Sequence, residues 1–143
     1  PGRKSHIDGP CSRFHIRRLK SGRLLMINHY QFDQRIDLDD IMRQGNVKSW
    51  KGRSHLTALL SEDDGKTWPY TLLLDERNEV SYPDAKEAAD GYIYVTYDWE
   101  RVTQREILMA RFTEEDILKG QLSSPNGKLR ILVNKATGQP DIH

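Results

Sequence analysis

Short apolar runs separated by polar turn residues fill most of the chain, and this pattern predicts β-strands. Phe14–Leu19 alternates apolar and polar side chains, and Arg23–Asn28 follows a turn at Ser21–Gly22 as a more continuous apolar run. Two such runs around a glycine turn are typical of a β-hairpin. The further strand-like runs are His55–Leu60, Tyr70–Leu74, Val80–Asp84, Tyr92–Tyr97, Arg105–Phe112 and Leu129–Val133. The sequence therefore predicts an all-β chain of about seven to nine strands.

Helix is predicted in only two short stretches. Residues 37–44 contain Asp37–Met42, whose acidic residues would lie in a first helical turn, and Gly45 would close it. The second stretch, residues 113–119, starts with Thr113 as a possible N-cap and has Gly120 as its stop. Both pieces are short, so they do not change the all-β prediction.

Glycine turns at Ser21–Gly22, Asp64–Gly65 and Asp90–Gly91 give the chain two similar units of strand, turn and strand. The units recur at roughly 60 residues, which is typical of β-propeller blades. A β-sandwich or a jelly roll would contain the same hairpins. The pattern alone leaves these three architectures open.

The most specific motif is S-x-D-x-G-x-T-W, which occupies Ser61 to Trp68 between two predicted strands. Asp63 can accept hydrogen bonds from backbone N–H groups further along the turn, and Gly65 can adopt the positive φ that a tight turn needs. The hydroxyls of Ser61 and Thr67 can tie the two ends, with Trp68 as an apolar cap. We expect this element to hold a hairpin together.

Composition narrows the classes of function. The 143 residues are enough for one domain, and 22 basic side chains nearly balance 21 acidic ones. The basic residues are scattered, so neither nucleic acid nor a membrane surface is a predicted partner. Cys11 is the single cysteine, and no Cys/His cluster has the spacing of a zinc site, so we predict no disulfide, metal or cofactor. No apolar run approaches the roughly 20 residues of a membrane span.

The motif at Ser61–Trp68 resembles the Asp-box, the bacterial neuraminidase repeat of sialidases and other β-propellers, and it matches every consensus position. In those families the Asp-box is structural and faces away from the substrate. Further features occur in the order found in the last third of sialidases, over about 100 residues from Ser12 to Phe112. They are Arg53 before the Asp-box, then Tyr82, the Asp90–Gly91 turn and Tyr97–Asp98.

The resemblance implies a sialidase-like six-bladed β-propeller. Residues 1–143 would form a partial propeller domain of about two blades plus a closing strand. The sequence begins at Pro1 without an initiator Met or a signal peptide, so we expect the N-terminal blades to be absent from it. Blades cut from a ring expose sheet faces, so this fragment would self-associate. The family acts on glycans outside the cytoplasm, which implies a periplasmic or extracellular location that the termini themselves do not indicate.

The resemblance also implies an exo-α-sialidase activity, the hydrolysis of terminal sialic acid or a related anionic sugar from glycans. Tyr82 matches the family's catalytic nucleophile by its position. A tyrosine suits this role because its neutral hydroxyl approaches an anionic sugar without charge repulsion. Arg53 matches the last arginine that grips the substrate carboxylate. Arg13 is either a second anion-binding arginine or a surface charge. The family's acid/base Asp, activating Glu and first arginine have no counterpart here.

Other residues have structural interpretations. Pro83 should push Tyr82 toward extended backbone, and Trp99 should lie in a loop. Asp98 and Arg101 should form a partly exposed ion pair or a loop contact, with the alternative that they line a cleft at the strand end together with Glu100. Two functional hypotheses remain beside the sialidase: a non-catalytic propeller module that binds glycan or protein, and a hydrolase of a uronic or neutral sugar. The enzyme hypothesis requires Arg53 and Tyr82 to lie in one cleft.

Overall fold

A computed structural model describes residues 2, 5–31 and 52–138, and in these it shows two four-stranded antiparallel sheets. The first sheet contains β1 (His15–Arg18), β2 (Leu24–His29), β3 (Leu56–Ser61) and β4 (Tyr70–Asp75). The second contains β5 (Val80–Glu87), β6 (Ile93–Trp99), β7 (Glu106–Phe112) and β8 (Lys128–Lys135). Each sheet is a meander in which neighbours along the chain are neighbours in space. The all-β prediction is confirmed, and the ends of every predicted strand lie within two residues of the observed ones except in β5, which extends three residues further.

The turn and cap predictions are also confirmed where the structure describes them. Gly22, Gly65 and Gly91 have φ values of 93°, 83° and 86°. One helix, α1 (Glu114–Lys119), begins after Thr113, which forms a reciprocal capping box with Asp116, and it ends at the left-handed Gly120. The other predicted helix, at residues 37–44, lies outside the described residues.

One hydrophobic core lies between the inner faces of the two sheets. The strands alternate, so every second side chain enters it, and Tyr97 and Phe112 are its largest members. β1 contacts β5 and β4 contacts β8. The sheets are therefore stacked with their strand orders running in the same direction, and the loop before β3 lies beside the start of β5.

The face of the first sheet that points away from the core is apolar but partly exposed. Ile16, Met26 and Leu59 form a cross-strand row there, and Ile7 and Trp68 help to line a groove of about 460 Å³ over it. Ile16 remains 47% exposed, and Leu73 on the neighbouring row remains 44% exposed. We call this the outer face of the first sheet. It is apolar and only partly covered by the described residues.

The Asp-box joins β3 to β4 as the sequence predicts. Asp63 Oδ1 accepts hydrogen bonds from the Ser61 hydroxyl and the Thr67 N–H, both at 2.8 Å, and Oδ2 accepts one from the Thr67 hydroxyl at 2.6 Å. Trp68 is half-buried and packs over Gly65, where a Cβ would lie 3.4 Å from the indole. Any other residue at position 65 would crowd the Trp68 indole and would be strained by the positive φ.

The Asp63 carboxylate should make the stability of the turn depend on acid pH. Hydrogen bonds from the Thr67 side chain and backbone and from Ser61 lower the pKa of Asp63 from 3.8 to about 2. Since the folded pKa is depressed, the stabilisation is present above about pH 4 and is lost as the pH falls toward 2. We expect Asp63→Asn to lower the melting temperature at neutral pH, by a margin that shrinks across this window. Asp64→Asn is the control, because the neighbouring carboxylate is exposed and pairs with the exposed Arg18.

Candidate functional site

Tyr82 lies on a β-bulge in β5. Ser81 is opposite Asp98 and Asp84 is opposite Thr96, so β5 carries one residue more than β6 between these pairs. At the bulge Tyr82 has a φ of 52° and its side chain is 42% exposed. The prediction that Pro83 would make Tyr82 extended is wrong, because the bulge determines the local backbone instead. A bulky residue at positive φ is a rare, strained state of the kind found at functional sites.

Arg53 is held just before β3, close to the start of β5. The Arg53 carbonyl accepts a hydrogen bond from Val80 N–H at 3.1 Å. Its guanidinium is buried, and Nε and Nη2 donate to the Cys11 carbonyl at 3.2 and 2.7 Å. The guanidinium carbon lies 5.6 Å from the centre of the Tyr82 ring. Arg53 and Tyr82, which are far apart in the sequence, are therefore in contact.

Arg101 completes the group around Tyr82. It follows β6 in a turn, and its guanidinium carbon lies 4.4 Å from the centre of the Tyr82 ring. Arg101 Nε forms an ion pair with Asp98 Oδ2 at 3.1 Å, as predicted, and the Ser81 hydroxyl donates a short hydrogen bond to Asp98 Oδ1. The contact between Arg101 and Tyr82 was not predicted. Nothing in the local sequence indicates it, because it depends on how the bulge turns the tyrosine.

The cluster contains charges of both signs. The guanidiniums of Arg53 and Arg101 lie near the carboxylate of Asp98. Burial raises the pKa of Asp98 and outweighs the opposing effects of Ser81, Arg101 and Arg53. The Tyr82 hydroxyl has no hydrogen-bond partner in the described part of the chain. The cluster thus places an exposed tyrosine beside two positive groups.

Arg13 has no described contact with this cluster. It is exposed on the segment before β1, and it makes no hydrogen bond or ion pair with another described residue. Arg53 does bind the nearby Cys11 carbonyl, so the segment itself passes close to the site. Among the described residues, no group of three or more His, Cys, Asp or Glu side chains could hold a metal ion. Within the same ranges no helix is long and apolar enough to cross a membrane.

A buried polar network lies behind the cluster. Asp75, at the end of β4, has no exposed surface and accepts a hydrogen bond from the Tyr97 hydroxyl at 2.9 Å. Arg77 donates to both oxygens of Asp75 at 2.9 and 2.7 Å, and Arg130 Nε lies 3.6 Å from it. The Arg77 guanidinium also stacks 3.9 Å from the centre of the Trp99 ring. Trp99 is the last residue of β6 and not a loop residue, so the loop prediction is wrong.

The ionisation states of this network are fixed by its burial and hydrogen bonds. Burial alone would raise the pKa of Asp75, but hydrogen bonds from Arg77 and Tyr97 outweigh it and hold that pKa below its ordinary value. Burial and the neighbouring Asp75 raise the pKa of Tyr97 far above its usual range. Tyr97 therefore stays protonated and acts as a hydrogen-bond donor that joins the two sheets.

Comparison with protein-family models identifies one family. The model of the BNR repeat-like domain matches residues 4–95, which is more than half of the chain. This region includes Arg53, the Asp-box and Tyr82, whereas Asp98 and Arg101 follow it. The comparisons with curated proteins and with solved structures give no match. On its Asp-box, its paired meander sheets and this match, the chain belongs to the BNR repeat-like domain family.

Proposed function

We propose that this chain is part of a sialidase-like glycoside hydrolase that removes terminal sialic acid or a related anionic sugar from glycans. The observation that carries the proposal is the 5.6 Å contact between Arg53 and the Tyr82 ring. The resemblance assigned these two residues to carboxylate binding and to nucleophilic attack, which must occur on one ligand. Their contact supports the enzyme hypothesis, which requires both side chains to lie in one cleft.

A six-bladed β-propeller is the architecture that we propose for the whole protein, with residues 1–143 supplying about two blades. Each sheet is a separate meander of strands, which is the pattern of a propeller blade. Most β-sandwiches and jelly rolls instead cross between their sheets in Greek-key order. The apolar outer face of the first sheet supports the same proposal, because a preceding blade would cover it.

The chemistry follows from the anionic sugar. Tyr82 Oη would bond to the anomeric carbon while the glycosidic C–O bond breaks, and water would later cleave the tyrosyl–sugar bond. The tyrosine proton would pass to a carboxylate, and the leaving oxygen would receive a proton from an acid; by resemblance, both groups lie in blades outside this chain. Asp98 is occupied by Ser81 and Arg101. We therefore give it a positioning role.

Two observations favour the alternative, a non-catalytic module that binds glycan or protein. Arg53 already gives its Nε and Nη2 to the Cys11 carbonyl, which occupies one edge of the guanidinium. No carboxylate among the described residues hydrogen-bonds to the Tyr82 hydroxyl. A binding module needs neither a free arginine edge nor a base.

The test uses the full-length protein and three substrates that carry the same fluorescent leaving group. These are a sialoside, a β-glucuronide and a neutral β-galactoside. Release from the sialoside supports the proposal, and release from the glucuronide or galactoside alone supports the uronic or neutral sugar hypothesis. If none is cleaved but the sialoside binds in calorimetry, the binding module is correct and the hydrolase proposal fails.

Self-association should distinguish a propeller fragment from a complete domain. Since the outer face of the first sheet is apolar and only partly covered, the isolated chain should elute from size-exclusion chromatography at an apparent mass that rises with concentration. Ile16→Lys combined with Leu73→Lys should reverse this, because both side chains lie on that face. Val102→Lys is the control, since Val102 is 83% exposed but lies in the turn after β6. A compact monomer at high concentration would contradict the propeller-fragment proposal.

A further inference from the structure

Two histidines of the first sheet hold β5 on either side of the Tyr82 bulge. Both β1 and β2 contact β5. At the end of β2, His29 Nε2 lies 2.7 Å from the carbonyl oxygen of Val80, which precedes the bulge. At the start of β1, His15 Nδ1 lies 3.0 Å from Oδ1 of Asp84, which follows it. The strained tyrosine is therefore flanked by two polar contacts that cross from one sheet to the other.

The second nitrogen of each ring is buried and has no hydrogen-bond partner among the described residues. A carbonyl oxygen can only accept a hydrogen bond, so His29 Nε2 carries a hydrogen and a neutral His29 has its lone pair at Nδ1. In a neutral His15, Nδ1 donates to the carboxylate and the lone pair lies at Nε2. Protonation would add an N–H group at either buried nitrogen, and no described acceptor faces it. An unpaired buried donor that also carries a charge is unfavourable.

The surroundings of both rings oppose a positive charge. Burial lowers the pKa of His29; the hydrogen bond to Val80 opposes this effect, and the charge of Arg53 adds to it. Burial also lowers the pKa of His15 and outweighs the attraction of Asp84. That attraction is screened by water, because the Asp84 side chain is 68% exposed. The other charges that act on His15 are those of Arg17 and Arg13.

We infer that His15 and His29 are positioning residues for Tyr82, and that protonation of either in mildly acidic solution lets the tyrosine move away from Arg53 and Arg101. Because the folded pKa values lie below 6.5, the two contacts are intact above that pH and weaken as the pH falls below it. The positive φ of Tyr82 favours the release, since a relaxed backbone would lose this strain. The inference concerns the position of Tyr82 and goes beyond the proposed function, because it applies to a hydrolase and to a binding module alike.

The experiment places a fluorotyrosine at position 82 of the full-length protein and records its fluorine NMR resonance from about pH 7.5 to about pH 5, the range in which histidines titrate. A ring that leaves the two guanidiniums should give a second resonance. We expect the ratio of displaced to held ring to rise by up to about tenfold per pH unit for each histidine as the pH falls below 6.5. The measurement does not depend on turnover or on a ligand.

His29→Gln combined with His15→Asn removes the titration but keeps the contacts. The glutamine amide can donate to the Val80 carbonyl from the position of Nε2, and the asparagine amide can donate to Asp84 from the position of Nδ1. This double variant should keep the neutral-pH resonance throughout the titration. His29→Ala removes the donor to Val80, so it should show the displaced resonance already at neutral pH.

His55→Asn is the matched control. The His55 ring is half-buried and its Nδ1 lies 2.9 Å from the hydroxyl oxygen of the adjacent Ser54, but no described contact joins the ring to β5. This variant should leave the pH response unchanged. A response that persists in the double variant would belong to another group, such as the carboxyl of Asp98, and the inference would be wrong. A wild-type resonance that does not change with pH would overturn it as well.

Discussion

Tyr82→Phe should lower the turnover of a fluorogenic sialoside by the full-length protein by about a thousandfold or more, with little change in substrate binding. The substitution removes only the hydroxyl oxygen, which is the atom that would bond to the anomeric carbon. The ring remains, so its contacts with Arg53 and Arg101 should persist. The measurement is kcat from initial rates, with Kd for free N-acetylneuraminic acid measured in parallel.

Tyr94→Phe provides the control for this prediction. The Tyr94 hydroxyl lies on β6, where it contacts Asp90 at 3.4 Å near the surface, so its removal should leave kcat within about twofold. Full activity of Tyr82→Phe would exclude Tyr82 from the chemistry. Hydrolysis would then require a different nucleophile, and no other tyrosine among the described residues lies in contact with both arginines.

The backbone at Tyr82 helps to explain how the hydroxyl can be so exposed. In a regular strand the residue would alternate with its neighbours, and its side chain would follow the pleat. The bulge between Ser81 and Asp84 interrupts this alternation. A positive φ at a non-glycine residue costs on the order of 1–3 kcal/mol, which the surrounding sheet must offset. The cation–π contacts of Arg53 and Arg101 contribute to that, at about 0.5–2 kcal/mol each.

Local features of the fold could be predicted from the sequence because their causes are local. A tight turn needs a residue at positive φ, such as Gly65, and this glycine lies within a few residues of the two strands that the turn joins. The capping box between Thr113 and Asp116 likewise depends on a spacing of three residues. The Asp-box is local in the same way, so its hairpin and the hydrogen bonds to Asp63 were predicted.

The contacts of the candidate site depend on pairs that are distant in the sequence. Residue types alone gave no indication that Arg53 would bind the Cys11 carbonyl, or that Arg101 would stack on Tyr82. The bulge was missed because it requires the register of two strands, which a single sequence does not specify. Family resemblance singled out Arg53 and Tyr82 for their roles, and the structure places them in contact. It had no information about Arg101, which no motif marks.

Asp75→Asn should destabilise the chain by about 3 kcal/mol in urea denaturation, because it removes the charge at the centre of a buried network. Arg77 would lose its paired acceptor, and the fully buried hydroxyl of Tyr97 would lose a charged one. Tyr97→Phe should cost less, about 1.5 kcal/mol, because Asp75 keeps its three hydrogen bonds from the backbone and side chain of Arg77. The double variant should be less destabilised than the sum of the two, since both changes break the same hydrogen bond.

The pH dependence and a control make this prediction specific. Since the folded pKa of Asp75 is lowered, its contribution is present above the ordinary value of 3.8 and is lost as the pH falls below it. The stability of Asp75→Asn should therefore fall less in acid than that of the wild-type chain. Asp84→Asn is the control: this exposed carboxylate pairs with His15, and its replacement should change stability by less than about 0.5 kcal/mol. Tyr97 is opposite the bulge and precedes Asp98, so a destabilised network should also displace the residues around Tyr82. An Asp75→Asn variant as stable as the control would show that this network does not hold the two sheets, and with them the site, in place.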